Sequence, residues 1–558
     1  MKYIAKFISN YGNIIRPDLQ NDLMFNDTLR GKNKVRAGSI PDQLYAVITS
    51  EKKQEFQKKL IKEFVGILET IVCDVQKNNG MDSVPLRSDE IHKYFNFFFI
   101  FHPIKADYPT YPEFVEAEKK IKVRSLTYCF AEQNEPGVLK WDKCDLCGER
   151  KGVYVINGSA QHLVDRERIC SVCMLKRFLF KAVETTAFEP KYQSTSDVAA
   201  VPINKRYREL LEKPLIKEKR DGIENTYDEL LGWCKSNTDE LSDANTGVRF
   251  SEPLGRCLFM DKAPMLREFR ESFKKLEEDA EFLPTPWLER PFYAIVYMDG
   301  DNMGGAFRDG GNDLKKVSDT VSSTLTQFTH EAEEIVSKHS GQLIYAGGDD
   351  VNFIIHPEYL TGCVEELVSK YKELFSQSVA RNGGILPQTI KDKLLNLSLS
   401  TGAVVCYHKY PLSEAIKRSY KTLIDKAKNV YGKNALAIHL IKGHTETFTL
   451  AIPNALLQNV ATLKDKIANG AISRTTPYRL REEEHLLDQL LAASKEKFEK
   501  YLCTVLEGTR SNKHRRKELE EIVRLLSGFA NVEDKDKKKS AATMIDVLLY
   551  LRFLTGGR

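Results

Sequence analysis

The 558-residue sequence lacks several features that would place it in a specialised class of protein. No stretch reaches the roughly 18 uninterrupted apolar residues that a membrane span needs, and the apolar run at the start is too short for a signal peptide. Its 11 cysteines are odd in number and thinly spread, which does not indicate a disulfide framework. We therefore expect a cytoplasmic protein without a membrane partner.

The charge balance is also unremarkable. Lysine and arginine number 83 and aspartate and glutamate 78, so the net charge of +5 does not by itself indicate nucleic acid. Hydrophobic residues make up 42% and charged residues 29%, which is ordinary for a soluble globular protein. A chain of this length exceeds what one hydrophobic core supports, so three or four domains are expected.

Hydrophobic periodicity divides the chain into regions. An amphipathic helix is predicted from residue 51 to 75. Residues from about 131 to 288 contain a cysteine cluster followed by a polar, mainly helical region. From residue 446 onward the pattern is mostly helical and strongly charged. The intervening region reads strand, helix, strand, strand, helix, strand, strand, which is a ferredoxin-like palm plus one strand. Its predicted strands cover residues 292–298, 342–345, 351–355, 396–406 and 435–440.

Two acidic turns fall at adjacent strand ends of this predicted palm. Asp299 and Asp301 follow the first strand, and Asp349 and Asp350 lie in the hairpin turn of its neighbour. Such carboxylates repel one another unless a cation neutralises them. Mg²⁺ or Mn²⁺ prefers these oxygen ligands together with phosphates, and two metals could activate a hydroxyl and stabilise pyrophosphate. A lone Asp-Gly turn is usually structural, but paired turns predict metal and nucleotide binding.

Neighbouring residues fit a nucleotide site, with simpler alternatives. Gly300, Gly347 and Gly348 let the backbone approach a phosphate. Ser398 and Ser400 share one strand face, where they line a base pocket or face solvent. Lys428 either holds a triphosphate as a point charge or is the basic last turn of a helix.

The cysteine cluster predicts a structural zinc site. Cys144 and Cys147 form one CxxC pair, and Cys170 and Cys173 form another after 22 intervening residues. Four thiolates suit tetrahedral Zn²⁺, and a closed set of four leaves no open position for catalysis. A redox CxxC is the competing interpretation, which two copies make less attractive.

These motifs resemble the large, polymerase-like subunit of Cmr-type (type III-B) CRISPR interference complexes. The resemblance is strongest from about residue 110 to 440, and residues 36–39 are similar to that family's first, degenerate palm. The stretches that carry it are 117–124, 144–150, 299–304, 345–350, 400–403, 410–415 and 427–428.

The resemblance implies an α+β multidomain fold. It would comprise a degenerate palm-like domain (1–130), a helical domain with the four-cysteine zinc site (131–288), a catalytic palm of the GGDEF and adenylyl-cyclase kind (289–445) and a C-terminal helical domain (446–558). It also implies a complex with other Cmr-type subunits, guide CRISPR RNA and target RNA. Target pairing would switch on condensation of ATP into an adenylate second messenger for antiviral defence.

Site residues carry over from the resemblance one by one. The implied metal-site and catalytic carboxylates are Asp299, Asp349 and Asp350, with Asp301 as the fourth candidate, which would also belong to the nucleotide site. Ser398 or Ser400 would contact adenine and Lys428 a phosphate. Many family members begin with a nuclease domain marked by a His-Asp pair. No His-Asp dipeptide occurs here, so we expect no DNA cleavage by this chain.

Several alternatives stay open at this point. The product could be cyclic oligoadenylate, or ATP joined to S-adenosylmethionine, as in some relatives without the nuclease domain. The palm could instead be a non-catalytic scaffold that binds nucleotide and RNA, or a stand-alone diguanylate-cyclase-like enzyme. Basic segments 510–517 and 535–539 could contact RNA or a partner, although charge runs are usually solvated faces.

Overall fold

The computed structural model is mainly helical with one large sheet. In the part of the chain that it describes, no helix is both long and apolar enough to span a bilayer. The described residues are 7–16, 44–48, 53–78, 87–95, 99–127, 142–145, 147–156, 167–176, 193–212, 258–259, 266–310, 313–382, 384, 386–443, 447–470, 472–473, 475–507, 516–531 and 539–556.

The described part of the first region contains a small sheet, a short helical turn at residues 7–9 and three longer helices. Its elements are β1 (Gly12–Arg16), β2 (Tyr45–Ile48), α1 (Lys53–Asn78), α2 (Ser88–Tyr94) and α3 (Tyr111–Thr127). Strands β1 and β2 pair antiparallel. Helix α1 confirms the predicted amphipathic helix, and its Phe56 and Leu60 pack with Ile8 in a separate small core. The degenerate palm stays a prediction, and residues 36–39 lie outside the described part.

The cysteine region follows. It contains β3 (Tyr154–Ile156), β4 (Glu167–Ile169), α4 (Thr195–Glu212) and α5 (Leu266–Asp279). Strands β3 and β4 form an antiparallel hairpin. Its core includes Ile169 and Leu175 together with Val72 of α1 and Ile91 of α2, so this region packs on the first one.

The sheet confirms the predicted palm order. It begins with β5 (Phe292–Asp301), α6 (Met303–Arg308), α7 (Leu314–Lys338), β6 (Gln342–Gly347), β7 (Asp350–Ile355), α8 (Pro357–Arg381), α9 (Gln388–Leu395) and β8 (Ser398–Tyr407). Strands β8, β5, β7 and β6 lie side by side in that order, and all pair antiparallel. This is the ferredoxin-like arrangement. It brings the end of β5 next to the turn between β6 and β7.

Two more strands extend the sheet beyond β8. Helix α10 (Leu412–Thr422) continues into a π-helical segment (Leu423–Val430), and β9 (Ala435–Ile441) and β10 (Thr447–Pro453) follow. Strand β9 runs parallel to β8, and β10 pairs antiparallel with β9 over its whole length. The predicted boundary after residue 445 therefore cuts the sheet, which extends to Pro453.

Both faces of the sheet are covered, which explains why β5 is apolar at consecutive positions. Ala294, Val296 and Met298 join the core that contains α7 and α8. Tyr293 and Ile295 pack on the opposite face with Val198 of α4 and Ala415 of α10. On that second face, Gly402 of β8 lets the α10 backbone cross closely. A Cβ there would lie 2.4 Å from the Ser419 carbonyl oxygen.

The C-terminal region is helical, as its sequence pattern predicts. Its helices are α11 (Leu457–Ala468), α12 (Thr476–Glu482), α13 (Glu484–Ala493), α14 (Lys495–Glu507), α15 (Arg516–Ala530) and α16 (Ala541–Leu554). They share one continuous core with the palm. For example, Phe553 of α16 packs edge-on against Trp287, whose indole N–H donates to Glu358 of α8. Most of both basic segments lies outside the described residues.

Candidate active site

Asp299 and Asp301 end the central strand β5 on the face that α10 and the π-helical segment cover. They stand directly opposite Ser400 and Ser398 of β8. Because alternate residues of a strand share a face, all four side chains lie on the same side of the sheet. The two aspartates nevertheless differ in environment, since the Asp301 side chain is fully buried and the Asp299 side chain is 32% exposed.

Asp301 is held in a buried hydrogen-bond network. The hydroxyls of Ser398 and Ser400 donate to its carboxylate at 2.8 Å, and the backbone N–H of Asn434 donates at 3.1 Å. Asn454 extends the network by donating to the Asn434 side-chain oxygen at 3.0 Å. These contacts fix the ends of β5, β8 and β9 relative to one another. Asp301 is therefore placed as a positioning group rather than as a ligand open to a metal.

The serines occupy a different place from the one expected of them. Both Ser398 and Ser400 are buried, and their hydroxyls donate hydrogen bonds to the Asp301 carboxylate. This geometry does not favour the assignment of either one to adenine. Alternation along β8 correctly puts both hydroxyls on one face, but it cannot show that a carboxylate on the adjacent strand already accepts from them.

Lys428 reaches the acidic strand end from the π-helical segment. Its ammonium contacts an Asp299 carboxylate oxygen and donates to the Gly300 carbonyl at 3.1 Å, and it lies 3.6 Å from Asp301. Burial, with repulsion from Lys433 as a smaller cause, lowers the Lys428 pKa to about 8. In this structure Lys428 is the counter-ion of Asp299. Its predicted contact with a phosphate stays a prediction.

The acidic hairpin turn lies against the other side of the same strand end. Gly348 has φ of +68°, a conformation that glycine adopts without steric cost. A Cβ at Gly300 would lie 2.7 Å from both Cβ and Oδ2 of Asp349. Glycine at position 300 is therefore what allows the Asp349 carboxylate to pack onto β5, and Asp350 begins β7 immediately afterwards.

The strand end offers the oxygen donors that a hard divalent cation prefers. An ammonium already sits against the Asp299 carboxylate and the Gly300 carbonyl, so a cation fits between these oxygens. Within the described residues, Asp299, Asp349 and Asp350 do not form a group that converges to ligand distance. Metal binding therefore requires Lys428 to move away and the carboxylates to close in.

The four predicted zinc ligands do converge. The sulfurs of Cys144, Cys147, Cys170 and Cys173 all lie within 4.8 Å of one another, and Cys147 and Cys170 are 3.9 Å apart. Hydrogen bonding with Cys144 lowers the pKa of Cys147 and raises that of Cys173. One thiolate is thus stabilised by its neighbours at the expense of another. Zn²⁺ is the cation that would hold all four as thiolates in a closed tetrahedral site.

The Asp301 network gives a prediction about stability. We expect Asp301→Ala to lower the free energy of unfolding by about 3–5 kcal/mol, because the substitution removes a fully buried charge and leaves its donors unsatisfied. Asp299→Ala, which changes a partly exposed carboxylate two residues away, should cost about 1 kcal/mol or less. Urea unfolding measures both, and equal losses would contradict a positioning role for Asp301.

Comparison with known proteins identifies the palm. Residues 292–437 match the family model described as "Cas10/Cmr2, second palm domain". These residues include β5 to β8 and the start of β9, and so all four of the carboxylates described above. Palm domains of this family have a cyclase-like nucleotidyltransferase fold.

Comparison over longer stretches agrees. The chain is 28% identical over 368 residues to "CRISPR system Cmr subunit Cmr2" of Pyrococcus furiosus, and the aligned region covers 60% of this chain and 39% of that protein. The chain thus matches about two fifths of that curated relative. Two structures of a type III-B Cmr-beta complex, one bound to cognate target RNA and one in the apo state, share its fold. Their TM-scores are 0.55 and 0.56 at 13% identity, with 93% of this chain and 71% and 70% of those chains covered.

Proposed function

We propose, from the premise that this chain is a Cas10/Cmr2-type large subunit, that it is a metal-dependent nucleotidyltransferase within a type III-B complex. It condenses ATP into an adenylate second messenger when guide CRISPR RNA pairs with target RNA. The observation that carries this proposal is the close placement of Asp299, the Gly300 carbonyl and Asp349 at one strand end. The positively charged ammonium of Lys428 contacts the first two of these groups.

The proposed reaction is in-line adenylyl transfer. A ribose hydroxyl of the acceptor loses its proton to solvent and forms a bond to the α-phosphorus of ATP, the bond from that phosphorus to the oxygen that bridges it to the β-phosphorus breaks, and pyrophosphate leaves. Mg²⁺ or Mn²⁺ would supply charge neutralisation and activation of the hydroxyl. Asp299, Asp349 and Asp350 would hold the cation once their carboxylates have closed in on it. Lys428, once it has left Asp299, provides a positive charge for the polyphosphate.

The remaining parts have supporting roles in this proposal. The cysteine module, which contains Cys144, Cys147, Cys170 and Cys173 and the hairpin of β3 and β4, binds structural Zn²⁺ and contributes no catalytic group. Other Cmr-type subunits, guide RNA and target RNA are the proposed partners, supported by the shared fold with the two Cmr-beta structures. Both adenylate products remain within the proposal, since S-adenosylmethionine also carries ribose hydroxyls and the strand-end geometry does not distinguish its hydroxyls from those of a second ATP.

Product analysis by mass tests the proposal. The assembled complex is incubated with labelled ATP, Mg²⁺ and target RNA, with and without S-adenosylmethionine. We expect an RNA-dependent adenylate product. Its mass distinguishes cyclic oligoadenylate from ATP joined to S-adenosylmethionine. A complex that binds target RNA but yields no nucleotide product would replace this proposal with the non-catalytic scaffold. A preference for GTP would favour a diguanylate-cyclase-like activity.

A further inference from the structure

A row of three side chains crosses the sheet beside the acidic strand end. Tyr345 of β6 is directly opposite Asn352 of β7, which in turn is directly opposite Tyr297 of β5. Directly opposed residues share a face, and their Cβ atoms are about 5 Å apart. The three side chains therefore form a continuous strip of two phenol rings around one amide.

This strip lies between a covered apolar row and the carboxylates. One step away along the strands, Ile295 opposes Ile354, and both are packed with Val198 of α4. One step in the other direction, β5 presents Asp299 and β7 presents Asp350. Since a step of two residues is about 7 Å along a strand, the strip is within the reach of a nucleotide whose phosphates contact the carboxylates.

On the other half of the sheet, the same row consists of small residues instead of large polar ones. It continues through Gly402, Ala437 and Ala451, small residues over which α10 and the π-helical segment pack. The helix cover reaches the strip at Tyr420, whose ring meets the Tyr297 ring edge-on at 5.5 Å and is 52% exposed. Tyr297, Tyr345 and Asn352 are themselves partly exposed.

Asn352 has an unsatisfied acceptor in this strip. Its side-chain oxygen is buried and has no hydrogen-bond partner among the described residues. Leaving a buried acceptor unpaired is unfavourable, so such an atom beside a functional site points to a donor that arrives with a ligand. Aromatic rings on either side suit a flat heterocycle, since every base has a face that stacks on an aromatic side chain.

We propose that Tyr297, Asn352 and Tyr345, with Tyr420 at the edge, bind the 6-aminopurine ring of the nucleotide whose phosphates lie at the acidic strand end. This inference rests on the proposed function, whose base pocket it locates. The Asn352 oxygen accepts from the 6-amino group, the pairing that asparagine commonly makes with adenine. The assignment also leaves Ser398 and Ser400 to their observed role with Asp301.

Equilibrium binding of nucleotides to the 558-residue chain tests the proposed base site. The measurements are made with Mg²⁺ present and target RNA absent. The probes are ATP, inosine triphosphate (a 6-oxo group in place of the 6-amino group) and inorganic tripolyphosphate. We expect the wild-type chain to bind ATP about tenfold more tightly than inosine triphosphate, the discrimination expected of one good amide–base contact. Asn352→Leu should abolish that preference by weakening ATP about tenfold, with tripolyphosphate unchanged.

A second variant and a control keep the test independent of folding. Tyr420→Ala changes an exposed ring, and it should weaken ATP and inosine triphosphate alike while leaving tripolyphosphate unchanged. Asn469→Leu, an exposed asparagine at the end of α11, should leave all three affinities unchanged. An Asn352→Leu chain that melts as the wild type does and still prefers ATP over inosine triphosphate would overturn the base site. Failure of the wild-type chain to bind tripolyphosphate would instead count against the proposed function.

Discussion

We expect the replacement of Asp349 and Asp350 together with asparagine to lower the proposed adenylate synthesis by the assembled complex at least about a thousandfold. The carboxylates are the proposed metal ligands, and metal-assisted charge stabilisation supplies several kcal/mol to such a transition state, with each 1.4 kcal/mol equal to a factor of ten. Asparagine keeps the shape of each side chain, so the hairpin turn and the packing of residue 349 on Gly300 should persist. The rate is measured as labelled product per complex.

A matched control separates chemistry from assembly. Asp392→Asn changes an exposed carboxylate on α9 of the same palm and should leave the rate within about twofold of the wild type, as expected of a surface substitution. Target-RNA binding by the doubly substituted complex should also be unchanged. Synthesis that continues at the wild-type rate in that complex would show that the acidic turn is not the catalytic centre.

The sequence predicted the palm well because its signals are local. A continuous apolar run marks β5 as a strand buried on both faces, and the glycines between residues 345 and 351 mark the hairpin turn. The ferredoxin-like order then follows from the succession of elements. The predicted boundary at residue 445 falls inside the sheet because β10 pairs with β9, a contact that no pattern within β10 itself reveals.

The site was predicted less completely, because its contacts depend on the register between strands. Asp301 and the two serines were identified as polar residues of the site, but only the pairing of β5 with β8 shows that they satisfy one another. Asn434 lies two residues after Gly432 in a turn, yet its backbone N–H donates to the carboxylate of Asp301, 133 residues earlier in the chain. Asn352 belongs to no motif that the sequence analysis identified. Its proposed contact with a base can be inferred only once both neighbouring strands are placed.

The cysteine module gives the second large effect. We expect Cys170→Ser to abolish zinc binding at the proposed four-thiolate site and to unfold the hairpin of β3 and β4, since zinc binding contributes about 10–16 kcal/mol to structural sites of this kind. Cys170 is fully buried in a core that also contains Ile169 and Val172. Hydrogen exchange should therefore rise across residues 147–156 and 167–176, and metal analysis should show one zinc fewer per chain than in the wild type.

The palm should tolerate that loss. Among the residues that the structure describes, no palm strand contributes to the core around the cysteines, and the large core that joins the palm to the C-terminal helices contains no predicted zinc ligand. Cys73→Ser changes an exposed cysteine of α1 and serves as the control that keeps its zinc. Full zinc content in the Cys170→Ser chain would contradict a four-thiolate site. Loss of protection that spreads through β5 to β8 would instead show that zinc stabilises the palm as well, through contacts between the modules rather than through a shared core.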